Sequence, residues 1–307
     1  MKMKKLLKGK KRIAVIGAGL TGVEVAHALA TLGKKVTLLE YEEYILGAML
    51  DGEMAERVQE YLSEEGIKLM VNARIREVRR KKILLEEGIV SHDLAVCCTG
   101  LEPEVTLAKD AGIKTGKGII VDEYMRTSER NIYACGDCVE TINLLTGERE
   151  VSMLGTNAVR EAVVVAKNIL GKGERFPPVV NAAVSRIGRK YIGSVGITKR
   201  KASDHKIRAL SAEYTTTATA EYYPSNDKIT SFLISDTRGR IIGCQIISDI
   251  NITGRINLMS MAINMRMKIG ELARMETCYN PASAPIFDPL TVTAEILERK
   301  IDSLKSK

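Results

Sequence analysis

The fold is decided by the stretch RIAVIGAGLTGVEVAHALATLGKKVTLLE, residues 12–40. A short apolar strand at 12–16 leads through a glycine-rich turn into a helix at about 21–32, and a second strand follows at 36–39. Gly33 is expected to end the helix, because glycine tolerates the positive φ that is common at helix ends. The stretch therefore predicts one β-α-β unit of an α/β fold.

The glycine-rich turn has the spacing of a dinucleotide-binding loop in a Rossmann-type domain. Its first glycine permits the tight turn, the second lets the backbone approach a pyrophosphate, and the third lets the helix pack closely. Free N–H groups and the positive dipole end at the helix start then favour phosphate. A glycine-rich turn without a ligand is the alternative, and the flanking strands and helix count against it. The predicted cofactor-binding residues of this loop are Gly17, Gly19, Leu20, Thr21 and Gly22.

The acidic residue at the end of the second strand predicts the form of the cofactor. Glu40 is expected to accept hydrogen bonds from the adenosine ribose hydroxyls and to repel a 2′-phosphate. The residues that follow, Tyr41, Glu42 and Glu43, supply no cation that would offset this repulsion. The sequence therefore predicts NAD(H) rather than NADP(H).

The composition is that of an ordinary globular chain. Of 307 residues, 45% are apolar and 27% are charged, and the length indicates two or three domains. No stretch approaches the about 20 apolar residues of a membrane span. The basic N-terminus is not followed by the apolar segment of a signal peptide. A cytoplasmic location without a membrane partner is expected.

The net charge of +8 is concentrated in two basic runs, at 2–12 and at 79–82. These runs are either solvated faces or contacts for an anionic partner such as a dinucleotide, coenzyme A or nucleic acid. No aromatic residues interleave them, so nucleic acid is not expected as a partner.

The pattern of elements changes twice along the chain. After a strand at 94–98, predicted strands at 119–121 and 132–134 and a predicted helix at about 156–170 form a second region. Pro177-Pro178 marks the next boundary, and the strands beyond it recur without intervening helices, which is typical of an α+β domain. The predicted domains are 1–100 (Rossmann-type and NAD-binding), 101–175, and 176–307 (α+β).

Five short motifs follow one another: GAGLTGVE at 17–24, VTLLE at 36–40, CTG at 98–100, IYACGD at 132–137 and CYNP at 278–281. Their order and intervals resemble the pyridine nucleotide–disulfide oxidoreductases, in the branch of NADH oxidases, NADH peroxidases and coenzyme A-disulfide reductases. The resemblance covers nearly the whole chain. It implies an FAD-dependent NADH oxidoreductase, in which hydride passes from NADH to the flavin and on to a disulfide, oxygen or a peroxide.

The resemblance also implies roles for four residues near the cofactors. Asp137 is similar to the aspartate that binds the flavin ribitol, and the alternative for it is a helix cap. Thr99 and Gly100 are similar to the crossover from the nicotinamide domain back to the flavin domain. Glu24 is similar to a catalytic-site glutamate at the nicotinamide–flavin contact, and its alternative is an ordinary solvated charge on a helix.

The last motif implies a dimer. The region after Pro178 is similar to the family's dimerisation domain, which in coenzyme A-disulfide reductases sends tyrosines toward the active site of the partner subunit. Tyr279 is similar to one such catalytic-site tyrosine, and Tyr222 or Tyr223 to another. Simple interface packing is the alternative for Tyr279. The resemblance therefore implies a homodimer.

The spacing Cys135-x-x-Cys138 is also typical of thiol–disulfide motifs. The flavin role implied for Asp137, which lies between the two cysteines, explains the loop without a redox pair. Cys97 and Cys98 lie on a predicted strand and are expected to pack as small apolar residues. None of the cysteines forms a zinc-like set with a histidine, so no metal site is predicted.

The chain departs from the family in one respect. Relatives begin with another glycine fingerprint, which binds the ADP part of the flavin, and the redox cysteine lies in that segment. Here a single fingerprint is present, so 101 to about 175 is expected to be the second part of a flavin domain whose first part is absent. Either a separate flavin-domain polypeptide supplies that part, or the chain is a degenerate relative, or it is truncated. The competing hypothesis is a non-catalytic NAD-binding or interaction protein.

Overall fold

The first part of the chain is a parallel α/β layer. The structure is a computed structural model that describes residues 5–305. In chain order this part contains β1 (Arg12–Ile16), α1 (Leu20–Thr31), β2 (Lys35–Leu39), α2 (Gly52–Glu64), β3 (Lys68–Met70), β4 (Ile75–Arg79), β5 (Lys82–Leu85), β6 (Ile89–Ser91) and β7 (Leu94–Cys97). Four strands form a parallel sheet in the order β3-β2-β1-β7. The predicted Rossmann-type unit is confirmed.

The strand order brings the carboxyl ends of β1, β2 and β7 to one edge of the sheet. Ile13 pairs with Val36 on one side and with Leu94 on the other, so the three strands run in parallel register. Gly33 has φ 73° and ends α1, as predicted. Loops that leave this edge are therefore neighbours, which is where dinucleotides bind in such sheets.

A separate antiparallel sheet, β4-β5-β6, follows β3 and carries the second basic run. Arg79 pairs with Lys82 across the hairpin, and Arg79 forms an ion pair with Glu77 at 2.7 Å. Of the first basic run, Arg12 forms an ion pair with Asp93 at 3.2 Å. The residues of that run before Lys5 lie outside the described residues.

The middle part is small and differs from its prediction. It contains α3 (Thr106–Asp110), β8 (Ile119–Ile120), β9 (Val139–Ile142), β10 (Arg149–Glu150) and α4 (Gly155–Ile169). The predicted strand at 132–134 is wrong, because this segment lies in a bent loop that makes only an isolated bridge between Arg126 and Tyr133. The central strand of the small sheet is β9, which buries Glu140 and Thr141 and so lacks an apolar pattern.

The C-terminal part is an antiparallel sheet covered by helices. It contains β11 (Ala183–Ile187), β12 (Lys190–Gly196), α5 (Lys199–Asp204), β13 (Ala209–Thr217), β14 (Lys228–Asp236), β15 (Ile241–Ser248), α6 (Thr253–Asn264), α7 (Ile269–Ala273) and α8 (Pro289–Lys305). The strand order is β11-β12-β15-β14-β13. The predicted α+β organisation is confirmed, while α5 was not predicted. Within residues 5–305, no helix is long and apolar enough to cross a membrane.

One hydrophobic core joins the first part to the last. Val23 and Leu29 of α1 belong to the same buried cluster as Ile187, Ile192 and Phe232 of the C-terminal sheet. The two parts are therefore packed against each other, and this contact fixes the orientation of the glycine loop relative to the C-terminal sheet.

Candidate functional site

The glycine loop is shaped by two close backbone approaches. Gly17 has φ 94°, and its N–H donates to the Leu39 carbonyl at 2.8 Å. A β-carbon on Gly17 would overlap the Cys98 carbonyl, and a β-carbon on Gly22 would overlap the Gly17 carbonyl. Only glycine permits this packing of β1, α1 and the end of β7. Gly22 therefore lets α1 pack directly against the backbone of the loop.

Gly19 differs from these two glycines, because a β-carbon there would meet nothing within 4 Å. It points into a cavity of about 910 Å³ at the carboxyl edge of the parallel sheet. The predicted residues that line the cavity are Gly17, Gly19, Leu20, Thr21, Glu40, Thr99 and Gly100. Gly22 is the one predicted loop residue outside this lining.

The start of α1 opens onto the cavity without a competing acceptor. Gly19 is its N-cap, no side chain caps the helix, and its first turn contains no acidic residue. The first N–H groups of a helix lack intrahelical partners, and they carry the positive end of its dipole. With open space at Gly19, these groups fit the pyrophosphate of a dinucleotide.

Glu40 lines the cavity where β2 ends, and backbone amides hold its carboxylate in place. One oxygen accepts from the Ala18 N–H at 2.6 Å and the other from the Glu42 N–H at 3.0 Å. The carboxylate thus ties the glycine loop to the end of β2. Each carboxylate oxygen keeps acceptor capacity beyond these amides, and Glu40 lines the cavity, so a ribose hydroxyl is a suitable further donor.

A cation from another segment contacts Tyr41, the residue that follows Glu40. Arg74, just before β4, donates to the Tyr41 hydroxyl at 2.8 Å, and its guanidinium carbon lies 5.0 Å from the Tyr41 ring centroid. The residues after Glu40 themselves supply no cation, as the sequence indicates. Arg74 comes from a different loop, so the residues after Glu40 gave no sign of it.

Asp137 lies in an exposed turn against the first turns of α4. The preceding Gly136 has φ 94°, and its N–H donates to the Glu161 carboxylate at 2.7 Å. Burial raises the pKa of Glu161, and the charge of Asp137 raises it further. The structure gives Asp137 no capping hydrogen bond among the described residues, so its carboxylate is available to an external hydroxyl such as that of a flavin ribitol.

The two cysteines that flank this turn are packed thiols. Cys138 contacts the Cys135 carbonyl, and burial, the largest cause, raises the pKa of both thiols. A raised pKa lowers the thiolate fraction, which opposes nucleophilic chemistry. Their environment thus supports the interpretation of this loop without a redox pair.

Glu24 and Tyr279 lie away from the cavity lining. Glu24, on α1, hydrogen-bonds the Ser185 hydroxyl of β11 and so links the first part to the C-terminal sheet. The Tyr279 hydroxyl contacts the Tyr222 hydroxyl, and this hydrogen bond is the main cause that raises the pKa of Tyr279. Tyr222, rather than Tyr223, is thus the neighbour of Tyr279. All three tyrosines are exposed.

The comparisons with known proteins agree with this geometry. Residues 2–162 match the family described as pyridine nucleotide-disulphide oxidoreductase, and residues 188–289 match its dimerisation domain. The chain belongs to the pyridine nucleotide-disulphide oxidoreductase family. The sequence resemblance is therefore confirmed.

Three relatives illustrate the match. The NADH oxidase of Methanocaldococcus jannaschii is 39% identical over 300 residues, which are 96% of this chain and 67% of the relative. The NAD(P)H coenzyme A polysulfide/persulfide reductase of Pyrococcus horikoshii is 29% identical over 94% of this chain and 66% of its own. The structure of a NAD-dependent persulfide reductase from A. fulgidus superposes with a TM-score of 0.94 at 33% identity, covering 99% of this chain and 58% of that chain.

The chain thus spans about two thirds of the length of these curated relatives. Their names are those of oxidoreductases, which does not favour the non-catalytic alternative. Family membership accounts for the arrangement of the parallel layer, the middle part and the antiparallel sheet.

One buried group of this family member was not predicted. Asp51 precedes α2, but its carboxylate accepts from the Lys199 N–H at 3.0 Å and from the Gln245 amide at 2.7 Å. Asp51 and Gln245 are 6% and 2% exposed. Burial raises the pKa of the Asp51 carboxyl, while the Lys199 amide acts in the opposite direction. The residues it joins are far apart in the sequence, so only its capping position could have drawn attention to it.

Proposed function

We propose that this chain is the NAD-binding and dimerisation part of an FAD-dependent NADH oxidoreductase. The observation that carries the proposal is the cavity in which the glycine loop, Glu40 and the crossover at Thr99 form one continuous lining. The proposed parts are 1–100 for NAD, 101–175 for part of a flavin site, and 176–307 for dimerisation.

Each group of residues has a distinct task in this proposal. The amides at the start of α1 bind the pyrophosphate, and Glu40 orients the adenosine ribose. Thr99 and Gly100 line the cavity next to Gly17, where the middle part begins. Asp137 would hold the ribitol of a flavin, and the flavin, when bound, supplies the two-electron chemistry between NADH and a disulfide, oxygen or a peroxide.

Dinucleotide binding tests the first task directly. The purified chain is titrated with NADH at low ionic strength, by calorimetry and by nicotinamide fluorescence. Binding at a single site supports the proposal, and loss of binding in Gly19→Ala with unchanged folding places it on the glycine loop. If the unsubstituted chain gives no response in either measurement, the proposal fails.

The exposed face of α4 supports a further polypeptide as partner. Val159 and Val163, one turn apart, are 66% and 50% exposed, and Leu170 just beyond the helix is 75% exposed. Such a stripe is unusual on a helix that faces only water. We infer that a flavin-fingerprint polypeptide covers it. Adding such a polypeptide with FAD should restore NADH-dependent reduction of a dye, and Val163→Asp should prevent this. Equal rates of dye reduction with the unsubstituted chain and with Val163→Asp would contradict the assignment.

The tyrosine pair supports a homodimer as the working state. Tyr222 is 73% exposed and Tyr279 is 43% exposed, although their hydroxyls meet. An exposed aromatic pair with polar tips is typical of an interface or a shared site. In the proposal these hydroxyls face the active site of the partner subunit. A cytoplasmic location fits the six free cysteines, because a reducing compartment keeps thiols unpaired.

A further inference from the structure

Three basic segments meet at the amino edge of the parallel sheet, where β1 and β2 begin. They are residues 5–12, the connection from α1 to β2 at 32–35, and the β4–β5 hairpin turn at 79–82. All three consist of lysine, arginine, leucine and glycine alone. Their cations form the amino-edge surface: Lys5, Lys8, Lys10, Lys11, Arg12, Lys34, Lys35, Arg79, Arg80, Lys81 and Lys82.

Backbone hydrogen bonds bring these segments together, although they are far apart in the sequence. The Lys35 N–H donates to the Lys11 carbonyl at 2.9 Å, at the start of β2 and β1. The His92 N–H donates to the Lys81 carbonyl at 2.9 Å, and two residues later β7 begins beside β1. The two basic runs of the sequence and the connection at 32–35 therefore form one surface.

Few of these charges are neutralised by the protein. Arg12 forms an ion pair with Asp93 at 3.2 Å, and Arg79 forms one with Glu77 at 2.7 Å. In the part of the chain that the structure describes, the other cations of the surface form no ion pair. The net charge of +8 is thus concentrated at this edge. The cavity at Gly19 lies at the opposite, carboxyl edge, so a bound dinucleotide does not use these cations.

Two exposed leucines lie among the cations. Leu6 is 56% exposed and Leu32 is 63% exposed. The intervening Leu7 is buried in the core, and its carbonyl accepts the Lys34 ammonium at 3.3 Å. This packing holds the segment of Leu6 against the connection that contains Leu32. The surface therefore offers apolar side chains together with unpaired positive charge.

We propose that the amino-edge surface binds the anionic headgroups of a lipid membrane. Clusters of lysine and arginine are attracted to such headgroups, and leucine side chains enter the boundary between headgroups and acyl chains. Interfaces between proteins are instead depleted in lysine and enriched in aromatic residues. Nucleic acid offers no apolar face to the leucines, and the surface has no aromatic side chain on which bases could stack.

This association differs from the membrane partner that the sequence argues against. The expectation of no membrane partner concerned spanning segments, and within residues 5–305 no helix is able to cross a membrane. Binding at the lipid surface needs no such helix. The cavity at the carboxyl edge stays open to nucleotide, because none of its lining residues belongs to the amino-edge surface.

Cosedimentation with vesicles tests the inference. The unsubstituted chain is mixed with vesicles of phosphatidylcholine alone and of phosphatidylcholine with phosphatidylserine, at low and at physiological ionic strength. It should sediment only with the phosphatidylserine vesicles, and less so as salt rises. One triple variant reverses one charge in each segment: Lys8→Glu, Lys35→Glu and Lys81→Glu. Its control reverses three exposed charges outside the first part of the chain: Lys117→Glu, Lys172→Glu and Arg238→Glu.

The triple variant of the surface should bind the phosphatidylserine vesicles about a hundredfold more weakly, because each cation near such a surface contributes to binding. The control should change by less than about threefold, since distant charges are screened. The double variant Leu6→Ser and Leu32→Ser should lose about tenfold in vesicle affinity and bind duplex DNA as the unsubstituted chain does.

Four results would overturn the inference. They are no sedimentation of the unsubstituted chain with phosphatidylserine vesicles at low ionic strength, equal losses in the two charge variants, no effect of the leucine substitutions, and tighter binding of duplex DNA than of vesicles. The last two would identify a polyanion in solution as the partner. NADH titration of the same variants should be unchanged, so failure of the inference is separate from failure of the proposed function.

Discussion

At the scale of single residues, Gly19 and Gly22 serve the same loop in opposite ways. A β-carbon on Gly22 would overlap the Gly17 carbonyl, whereas one on Gly19 would enter open space. Gly22→Ala should therefore lower the free energy of unfolding by about 2 kcal/mol or more, as overpacking and backbone displacement do. Gly19→Ala should leave stability within about 0.5 kcal/mol and abolish NADH binding.

Urea unfolding and NADH titration of both variants measure this contrast. Gly19 has φ −67°, so alanine adopts its backbone without strain and any loss of binding is local. A Gly19→Ala variant that binds NADH normally would show that the pyrophosphate does not approach this backbone. A stable Gly22→Ala variant would show that the loop relaxes.

Local spacing predicts the residues of the glycine loop because their tasks depend on neighbours along the chain. Arg74 and Tyr41, by contrast, are 33 positions apart, and Asp51 and Gln245 are 194 apart. Their contacts exist only after the sheets are assembled. Sequence reasoning therefore predicted the glycine loop as a pyrophosphate site but missed the contact between Arg74 and Tyr41 and the buried Asp51 carboxylate.

At the scale of elements, Asp51 connects the start of α2 to the C-terminal sheet. Its carboxylate satisfies the Lys199 N–H and the buried Gln245 amide. Asp51→Ala leaves both donors without an acceptor, so the free energy of unfolding should fall by about 3 kcal/mol. Chemical denaturation measures it, with Asp110→Ala, an exposed aspartate on α3, as the control. Equal, small effects in the two variants would mean that water replaces the Asp51 carboxylate.

The Glu161 carboxylate of α4 accepts the Gly136 N–H and so connects this turn to the helix. Because burial raises the pKa of Glu161, the free energy of unfolding of the chain should depend on pH. The native state holds the Glu161 proton more tightly than the unfolded chain, in which the pKa of this carboxyl is the ordinary 4.5. This stabilising contribution is complete below about pH 4.5 and is lost as pH rises through the raised native pKa. Glu161→Gln keeps an acceptor for the Gly136 N–H and removes the titration.

Unfolding free energies measured from pH 4 to pH 8 test this dependence. The difference between Glu161→Gln and the unsubstituted chain should grow in favour of the variant as pH rises above 4.5. Glu102→Gln, at an exposed glutamate of the same part, is the matched control for the substitution itself. A difference between Glu161→Gln and the unsubstituted chain that does not change with pH would contradict burial as the cause of the shift.

The middle part also shows why a strand was predicted at the wrong segment. The apolar segment 132–134 lies in a loop, whereas the strand β9 buries Glu140, which accepts the Gly118 N–H at 2.9 Å. Alternation of apolar residues predicts strands with one solvated face. It does not detect a short strand whose buried carboxylate is satisfied by a neighbouring backbone amide.

At the scale of the whole molecule, two groups of exposed apolar residues bear on assembly. One is the face of α4 in the middle part, and the other is the C-terminal part, where Met261, Met265, Ile286 and Phe287 are 62–74% exposed. The second group lies within residues 188–289, which match the dimerisation domain. A second copy of the chain is the occupant expected on this surface.

Substitutions on that surface should separate the subunits without unfolding them. Phe287 is 74% exposed and Met265 is 70% exposed, so Phe287→Glu or Met265→Glu removes no internal packing. Each places a charge where an interface excludes water, which should weaken self-association at least about tenfold. Leu32→Glu, at a residue that is 63% exposed beside α1, is the matched control and should remain dimeric. Sedimentation equilibrium gives the mass, and an unchanged thermal midpoint shows that folding is retained. If both C-terminal variants sediment like the unsubstituted chain, the subunits meet elsewhere, and the exposed hydroxyls of Tyr222 and Tyr279 would then face solvent rather than a second site.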